Sequence, residues 1–111
     1  MKIIPAILEE SFNVIEDHVN FVTQAETIHV DICDGIYVSH KTWPYTTRGA
    51  DITRDFHVDQ LLTEDIGLPR WDDVDYQFDL MIKDAYEYIE VYARLGASVL
   101  IFHPTAFGTQ A

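Results

Sequence analysis

Short runs of β-branched and aromatic residues alternate along the chain with longer stretches whose apolar residues recur every three or four positions. The short runs predict strands over residues 2–8, 27–33, 75–82 and 98–103. The longer stretches predict amphipathic helices over residues 11–24 and 84–95. Because strands and helices alternate, the pattern predicts an α/β fold with a parallel sheet and right-handed crossover helices.

Each predicted helix has one apolar face and recognisable ends. The face of the first helix is formed by Phe12, Ile15, Val19 and Val22. The face of the second helix is formed by Ala85, Tyr88, Ile89, Tyr92 and Leu95. Ser11 is the expected N-cap of the first helix, and Asp84 with Glu87 resembles a capping box at the second. Gly96 suits the position that follows a helix.

The stretch over residues 36–73 has the least regular pattern. A helix is predicted over 55–64, with Phe56, Leu61 and Leu62 as its apolar residues. Two interpretations are open for so long a connection: it is a functional lid, or its elements are wrongly assigned.

Alternation along the strands predicts which side chains share a face of the sheet. On the second strand, the aliphatic residues Ile28, Val30 and Ile32 are expected to lie against helices. The opposite face is predicted to collect Ile4, Ala6, Leu8, His29, Asp31, Cys33, Gln77, Asp79, Met81, Val99, Ile101 and His103.

Four of these residues lie near the carboxyl ends of their strands, where parallel α/β sheets bind ligands: His29, Asp31, Asp79 and His103. Two carboxylates beside imidazoles indicate a metal site, an acid/base site, or both. Two simpler interpretations stay open, namely a salt bridge from Asp79 to a histidine without any metal, and a structural role for His103. Cys33 is interpreted as a small core residue rather than a nucleophile.

The composition narrows the classes of partner. The chain has 111 residues, which fits one domain over 1–111, and a net charge of -12. Such a charge repels phosphate backbones and anionic lipids, so we expect no nucleic-acid or membrane partner. One cysteine allows no intrachain disulfide, and the N-terminus does not resemble a signal peptide. A soluble, cytoplasmic protein is expected.

The candidate residues lie within motifs that resemble those of the ribulose-phosphate 3-epimerase family, whose members are (β/α)8 barrels. The resemblance runs through residues 4–8 (IPAIL), 28–35 (IHVDICDG), 79–82 (DLMI), 95–97 (LGA) and 102–104 (FHP). Order and spacing agree over most of the chain outside residues 39–72.

This resemblance implies an isomerase that interconverts ribulose 5-phosphate and xylulose 5-phosphate. In the family, a divalent metal stabilises an enediolate while two aspartates move the proton. His29 matches a metal ligand, and Asp31 matches a residue that is both ligand and acid/base. We expect the substrate to contact Leu8, Met81 and His103.

The sequence departs from the family pattern at three points. Asp79 stands where the family has a metal-binding histidine, which favours harder ions such as Mn or Mg over Zn, with Fe also considered. Ala6 stands where the family has a serine. The second acid/base aspartate and the phosphate-binding loops belong to later strands of the family barrel.

A (β/α)8 barrel takes roughly 250 residues, so these 111 residues are expected to form half a barrel of four strands. An open sheet of this kind would have two unpaired edges and one uncovered face. We therefore expect a homodimer or higher homo-oligomer in which two copies close eight strands. Alternatives are a catalytically inactive half-barrel assembly or metal-binding module, and a truncated piece of a longer enzyme.

Overall fold

A parallel sheet forms the centre of the molecule. The computed structural model describes residues 4–103, and within them one sheet has the strand order β1-β2-β3-β4. The strands are β1 (Ala6–Ile7), β2 (Thr27–Cys33), β3 (Asp75–Met81) and β4 (Val99–Ile101). All neighbouring strands are parallel. The predicted α/β architecture is thereby confirmed, and it is consistent with half of a TIM barrel.

A helix follows each of the first three strands and lies between it and the next. These helices are α1 (Phe12–Phe21), α2 (Phe56–Leu62) and α3 (Ile89–Leu95). Short 3-10 turns precede α2 at Ile52–Arg54 and α3 at Ala85–Tyr88. The chain therefore repeats a strand–helix unit, as the alternating pattern predicts.

The core lies between the helices and one face of the sheet. Its centre consists of fully buried side chains from the two middle strands, namely Ile28, Val30, Ile32, Tyr76, Phe78 and Leu80. Phe12, Ile15 and Val19 of α1 and Tyr92 and Leu95 of α3 are also buried in this core. The predicted alternation of β2 and β3 is confirmed, because the aliphatic and aromatic set faces the helices.

Several predicted boundaries are too wide. The first strand was predicted over residues 2–8, but only Ala6–Ile7 form it. Residues 2 and 3 lie outside the described part of the chain. The first helix ends at Phe21, because Val22 leaves the helical conformation, with φ of -90° and ψ of 66°, although its N–H still bonds the His18 carbonyl. The last strand ends at Ile101, and Pro104 lies outside the described residues.

The predicted capping box before the third helix is wrong. Asp84 has a left-handed backbone, with φ of 55°, and its side chain makes no cap hydrogen bond. A capping residue needs an extended backbone to direct its side chain at the first turn. The segment therefore begins as a 3-10 turn and becomes an α-helix at Ile89. Ser11 does occupy the extended N-cap position of α1, without a side-chain hydrogen bond.

The stretch between β2 and β3 is packed rather than loose. Its helix α2 begins after Asp55, whose carboxylate accepts from the Val58 N–H. Of its apolar residues, Phe56 is exposed, whereas Val58 and Leu61 are buried. Further core side chains come from Trp43, Tyr45, Ile52 and Leu68. The helix predicted over 55–64 is therefore confirmed as Phe56–Leu62.

Candidate metal centre

Strand register brings the candidate side chains together. Asp31 of β2 is the register partner of Asp79 of β3, and His29 precedes Asp31 by two residues on the same face. Asp79 is in turn the partner of Ile101, so His103 lies two residues further along the fourth strand's path. Because the helices cover the other face, these polar groups lie on the open side of the sheet.

His29, Asp31 and Asp79 form a compact group, here called the cluster. His29 Nε2 lies 3.0 Å from Asp31 Oδ1 and 3.7 Å from Asp79 Oδ2. One ligand atom from each residue lies within 4.8 Å of the others. Their side chains are 21%, 21% and 18% exposed, so the cluster is shielded yet open to a small ion.

The orientation of the His29 ring decides what the cluster can bind. His29 Nδ1 lies 3.3 Å from Gln77 Oε1. Nε2 lies at hydrogen-bond distance from Asp31 Oδ1, so in the absence of a cation this nitrogen can donate to that carboxylate. When Nδ1 donates to Gln77 Oε1, Nε2 has a free lone pair that can bind a cation together with the two carboxylates. The donor arrangement therefore fits a bound cation.

The types of ligand atom narrow the class of cation that the cluster could hold. One imidazole with two carboxylates is a donor set for Mn²⁺ or Mg²⁺ rather than for a thiolate-seeking metal.

His103 lies outside the cluster but contacts its member Asp79. His103 Nε2 lies 2.6 Å from Asp79 Oδ1, and the His103 ring packs 6.0 Å from that of Tyr37. The pairing of Asp79 with a histidine, left open as an interpretation without a metal, is thus present for His103. It involves Oδ1, whereas Oδ2 of the same carboxylate is turned toward His29.

Two further predicted site residues, Leu8 and Met81, are not members of the cluster. Leu8 is exposed just beyond β1, and Met81 is half-buried at the end of β3. Their contact with a substrate stays a prediction. Cys33 ends β2 in a buried position, where burial raises the pKa of its thiol to about 11. This agrees with its interpretation as a core residue.

Asp34 anchors the loops above the cluster, a role that its sequence pattern did not predict. Its carboxylate is buried and accepts from the N–H groups of Ile36 and Tyr37 at one oxygen and of Lys83 at the other, at 2.8–2.9 Å. The segments that follow β2 and β3 are thereby tied together. The Asp-Gly turn at 34–35 was the available signal, because Asp side chains cap the backbone of such turns.

Thr42 supports the cluster from the stretch after β2. Its fully buried hydroxyl donates to the Asp31 carbonyl at 3.0 Å and accepts from the Cys33 N–H at 2.9 Å. The backbone of the strand end that carries Asp31 is therefore held from the side. No periodic pattern marks Thr42 in the sequence, so this contact had no signal there.

Comparison with protein-family models identifies a family. The profile described as the ribulose-phosphate 3 epimerase family matches residues 2–110. No curated protein matches the chain. Among the described residues, no helix is long and apolar enough to cross a membrane.

Proposed function

The chain belongs to the ribulose-phosphate 3-epimerase family, and from that premise we propose that it acts as a metal-dependent epimerase of a sugar phosphate. The observation that carries the proposal is the convergence of His29, Asp31 and Asp79 at the carboxyl ends of two adjacent parallel strands. Ligands bind at this end of such sheets. Ribulose 5-phosphate is the proposed substrate, on the resemblance described above.

Asp31 is the proposed acid/base. Epimerisation beside a carbonyl begins when a base removes the proton from the neighbouring carbon, and it ends when a proton returns on the other face. The Asp31 side chain is partly exposed on the open face, and Thr42 fixes the backbone beneath it. Both observations support the proposal that its carboxylate touches the substrate and accepts the proton.

The cluster would hold the divalent ion. When bound, such an ion stabilises the negative charge that develops on a substrate oxygen as the proton leaves. His29 Nε2 and Asp79 Oδ2 are the other proposed ligand atoms. Two carboxylates among the three donors make Mn²⁺ or Mg²⁺ the proposed metal, in preference to Zn²⁺ or Fe.

We further propose that a second copy of the chain covers the open face. Parallel sheets are almost always covered on both faces. Here Leu8 beside β1 and Val99 of β4 are each 45% exposed, at opposite edges of the described sheet. Two copies about a two-fold axis could pair β4 of one with β1 of the other. The second copy would then bring its own carboxylates to the opposite side of a shared cavity, where the returning proton is needed.

A coupled epimerase assay tests the catalytic proposal. The native chain loaded with Mn²⁺ is expected to convert ribulose 5-phosphate, and Asp31→Asn is expected to lower the rate by about 100-fold or more. Asp17→Asn is the matched control, since Asp17 is an exposed residue of α1. If the native chain binds metal but converts no substrate, the protein is instead a metal-binding module with an epimerase fold.

Light scattering during size-exclusion chromatography tests the proposed association. A dimer or larger assembly at micromolar concentration supports a second copy over the open face. A stable monomer at that concentration would refute it. Leu8→Lys places a charge at the exposed edge and is expected to dissociate the assembly, while Asp17→Asn should leave it intact.

A further inference from the structure

Two side chains outside the cluster hold its members in place, and each contacts a different member. Gln77 Oε1 lies 3.3 Å from Nδ1 of His29. His103 Nε2 lies 2.6 Å from Oδ1 of Asp79. In both cases the contacted residue keeps its other polar atom, His29 Nε2 or Asp79 Oδ2, directed into the cluster.

This division of atoms matters because both cluster members are ambiguous on their own. A neutral imidazole can carry its hydrogen on either nitrogen, and only the nitrogen without hydrogen can bind a cation. A carboxylate can rotate and offer either oxygen. Gln77 Oε1 lies where it can accept from Nδ1 and so resolve the first ambiguity, and His103 Nε2 lies where it can donate to Oδ1 and so resolve the second.

We propose that Gln77 and His103 are positioning residues for a divalent ion held by the cluster. The inference rests on the metal centre in the proposed function and extends it to two residues that would not touch the ion. It also assigns His103 a role different from the predicted contact with substrate. Partners of metal ligands typically contribute about 10- to 100-fold to metal affinity.

Substitutions can distinguish the loss of a hydrogen bond from a change in side-chain size. Gln77→Leu removes the acceptor at similar size, whereas Gln77→Glu restores an acceptor for His29. His103→Leu removes the donor, whereas His103→Gln retains one. Both residues are only half-buried, so these variants are expected to fold. Gln24→Leu makes the same chemical change at an exposed position after α1 and is the matched control.

The experiment is a Mn²⁺ titration of the full chain, with free Mn²⁺ followed by electron paramagnetic resonance and folding checked by circular dichroism. The leucine variants of Gln77 and His103 are each expected to bind Mn²⁺ about 10- to 100-fold more weakly than the native chain. The Gln77→Glu and His103→Gln variants should recover most of the affinity. Gln24→Leu should bind as the native chain does.

A second readout does not depend on affinity. Nitrogen chemical shifts of the His29 ring, measured by NMR with Mg²⁺ bound, are expected to show hydrogen on Nδ1 in the native chain. Gln77→Leu should shift these signals, whereas His103→Leu should leave the hydrogen on Nδ1. Hydrogen on Nε2 in the native chain would overturn the proposal for Gln77.

The outcomes distinguish this inference from the function on which it rests. If both leucine variants fold and bind Mn²⁺ as tightly as the native chain, the positioning roles are wrong while the metal centre stands. If the native chain binds no Mn²⁺, the metal centre and the positioning roles fall together. Weaker binding in the leucine variants with recovery in the conservative ones supports the inference.

Discussion

The two faces of the sheet are built from alternate residues of the same strands, yet they differ in almost every physical respect. On β3, Tyr76, Phe78 and Leu80 are fully buried beneath the helices. Asp79 and Met81, which alternate with this set, are half-buried and lie on the open side. One face thus has the composition of a core, and the other has the composition of a binding surface.

Alternate residues of a single strand therefore serve different purposes: one set stabilises the fold, and the other set forms the candidate site. The helix-covered face supplies the apolar burial that stabilises the fold. The open face can therefore hold carboxylates and imidazoles without disturbing the core. Their ligand atoms nevertheless converge, because the rigid strands beneath them set the register. The following predictions test how completely the two faces are separated.

The largest expected loss of stability comes from a substitution on the face of the sheet that the helices cover. Phe78 is fully buried and packs against the Tyr92 ring at 6.0 Å. Phe78→Ala should lower the free energy of unfolding by about 4 kcal/mol, because it removes buried apolar surface and leaves a cavity. Chemical denaturation measures the change. A loss below about 1 kcal/mol would mean that this face is not the main core.

A somewhat smaller effect is expected where the strand ends meet the loops. Asp34→Ala would leave three backbone N–H groups without their carboxylate acceptor. The free energy of unfolding should fall by about 3 kcal/mol. Asp34→Asn keeps one acceptor oxygen and should cost less. Equal stability of all three proteins would show that the loops above the cluster need no such anchor.

Cys33 lies on the open-face side of β2 but is buried. Burial raises the pKa of its thiol to about 11, and its backbone N–H donates to the Thr42 hydroxyl. At pH 8 only about one thiol in a thousand is then ionised, and the fraction grows as the pH rises toward 11. Alkylation by iodoacetamide should be on the order of 100-fold slower in the native chain than in denaturant. Equal rates would show that the thiol is accessible and unperturbed.

The smallest expected effect is at the open face of the edge strand. Val99→Ala should lower the free energy of unfolding by less than about 1 kcal/mol in dilute protein, because the side chain is already 45% exposed. The loss should grow at concentrations where copies associate, if a second copy covers this residue. Denaturation at two concentrations measures both. A loss in the monomer as large as that for Phe78→Ala would erase the contrast between the faces.

The middle strands were predictable because their pattern is local. The limits of Thr27–Cys33 agree with the prediction, and β3 differs from it by one residue. Alternation of aliphatic with polar residues leaves little choice of face when helices cover one side. At Asp84 the local pattern failed, because a capping motif depends on a backbone conformation that the sequence does not reveal.

The stretch after β2 was unpredictable for a different reason. Its order comes from distant contacts, such as the Trp43 N–H bonding the Glu9 carbonyl and the Trp43 indole bonding Asp55. Such contacts leave no periodic signal in the sequence.

The candidate site was predictable as a set of residues but not as a geometry. Strand alternation placed His29, Asp31 and Asp79 on one face, and the register brings them together. Which atom of each residue faces the others depends on side-chain rotamers and on Gln77 and His103. A sequence pattern does not determine side-chain rotamers, so only the structure could reveal these two contacts.

Proton transfer at Asp31 is the central claim, and hydrogen exchange in the substrate tests it most directly. Ribulose 5-phosphate is incubated in D₂O with the Mg²⁺-loaded chain, and deuterium at the carbon beside the carbonyl is followed by NMR. We expect rapid incorporation with the native chain. With Asp31→Asn we expect the rate of incorporation to be lower by about 100-fold or more. Incorporation no faster than in buffer with a folded, Mg²⁺-loaded native chain would contradict the account, as would equal rates for the two proteins.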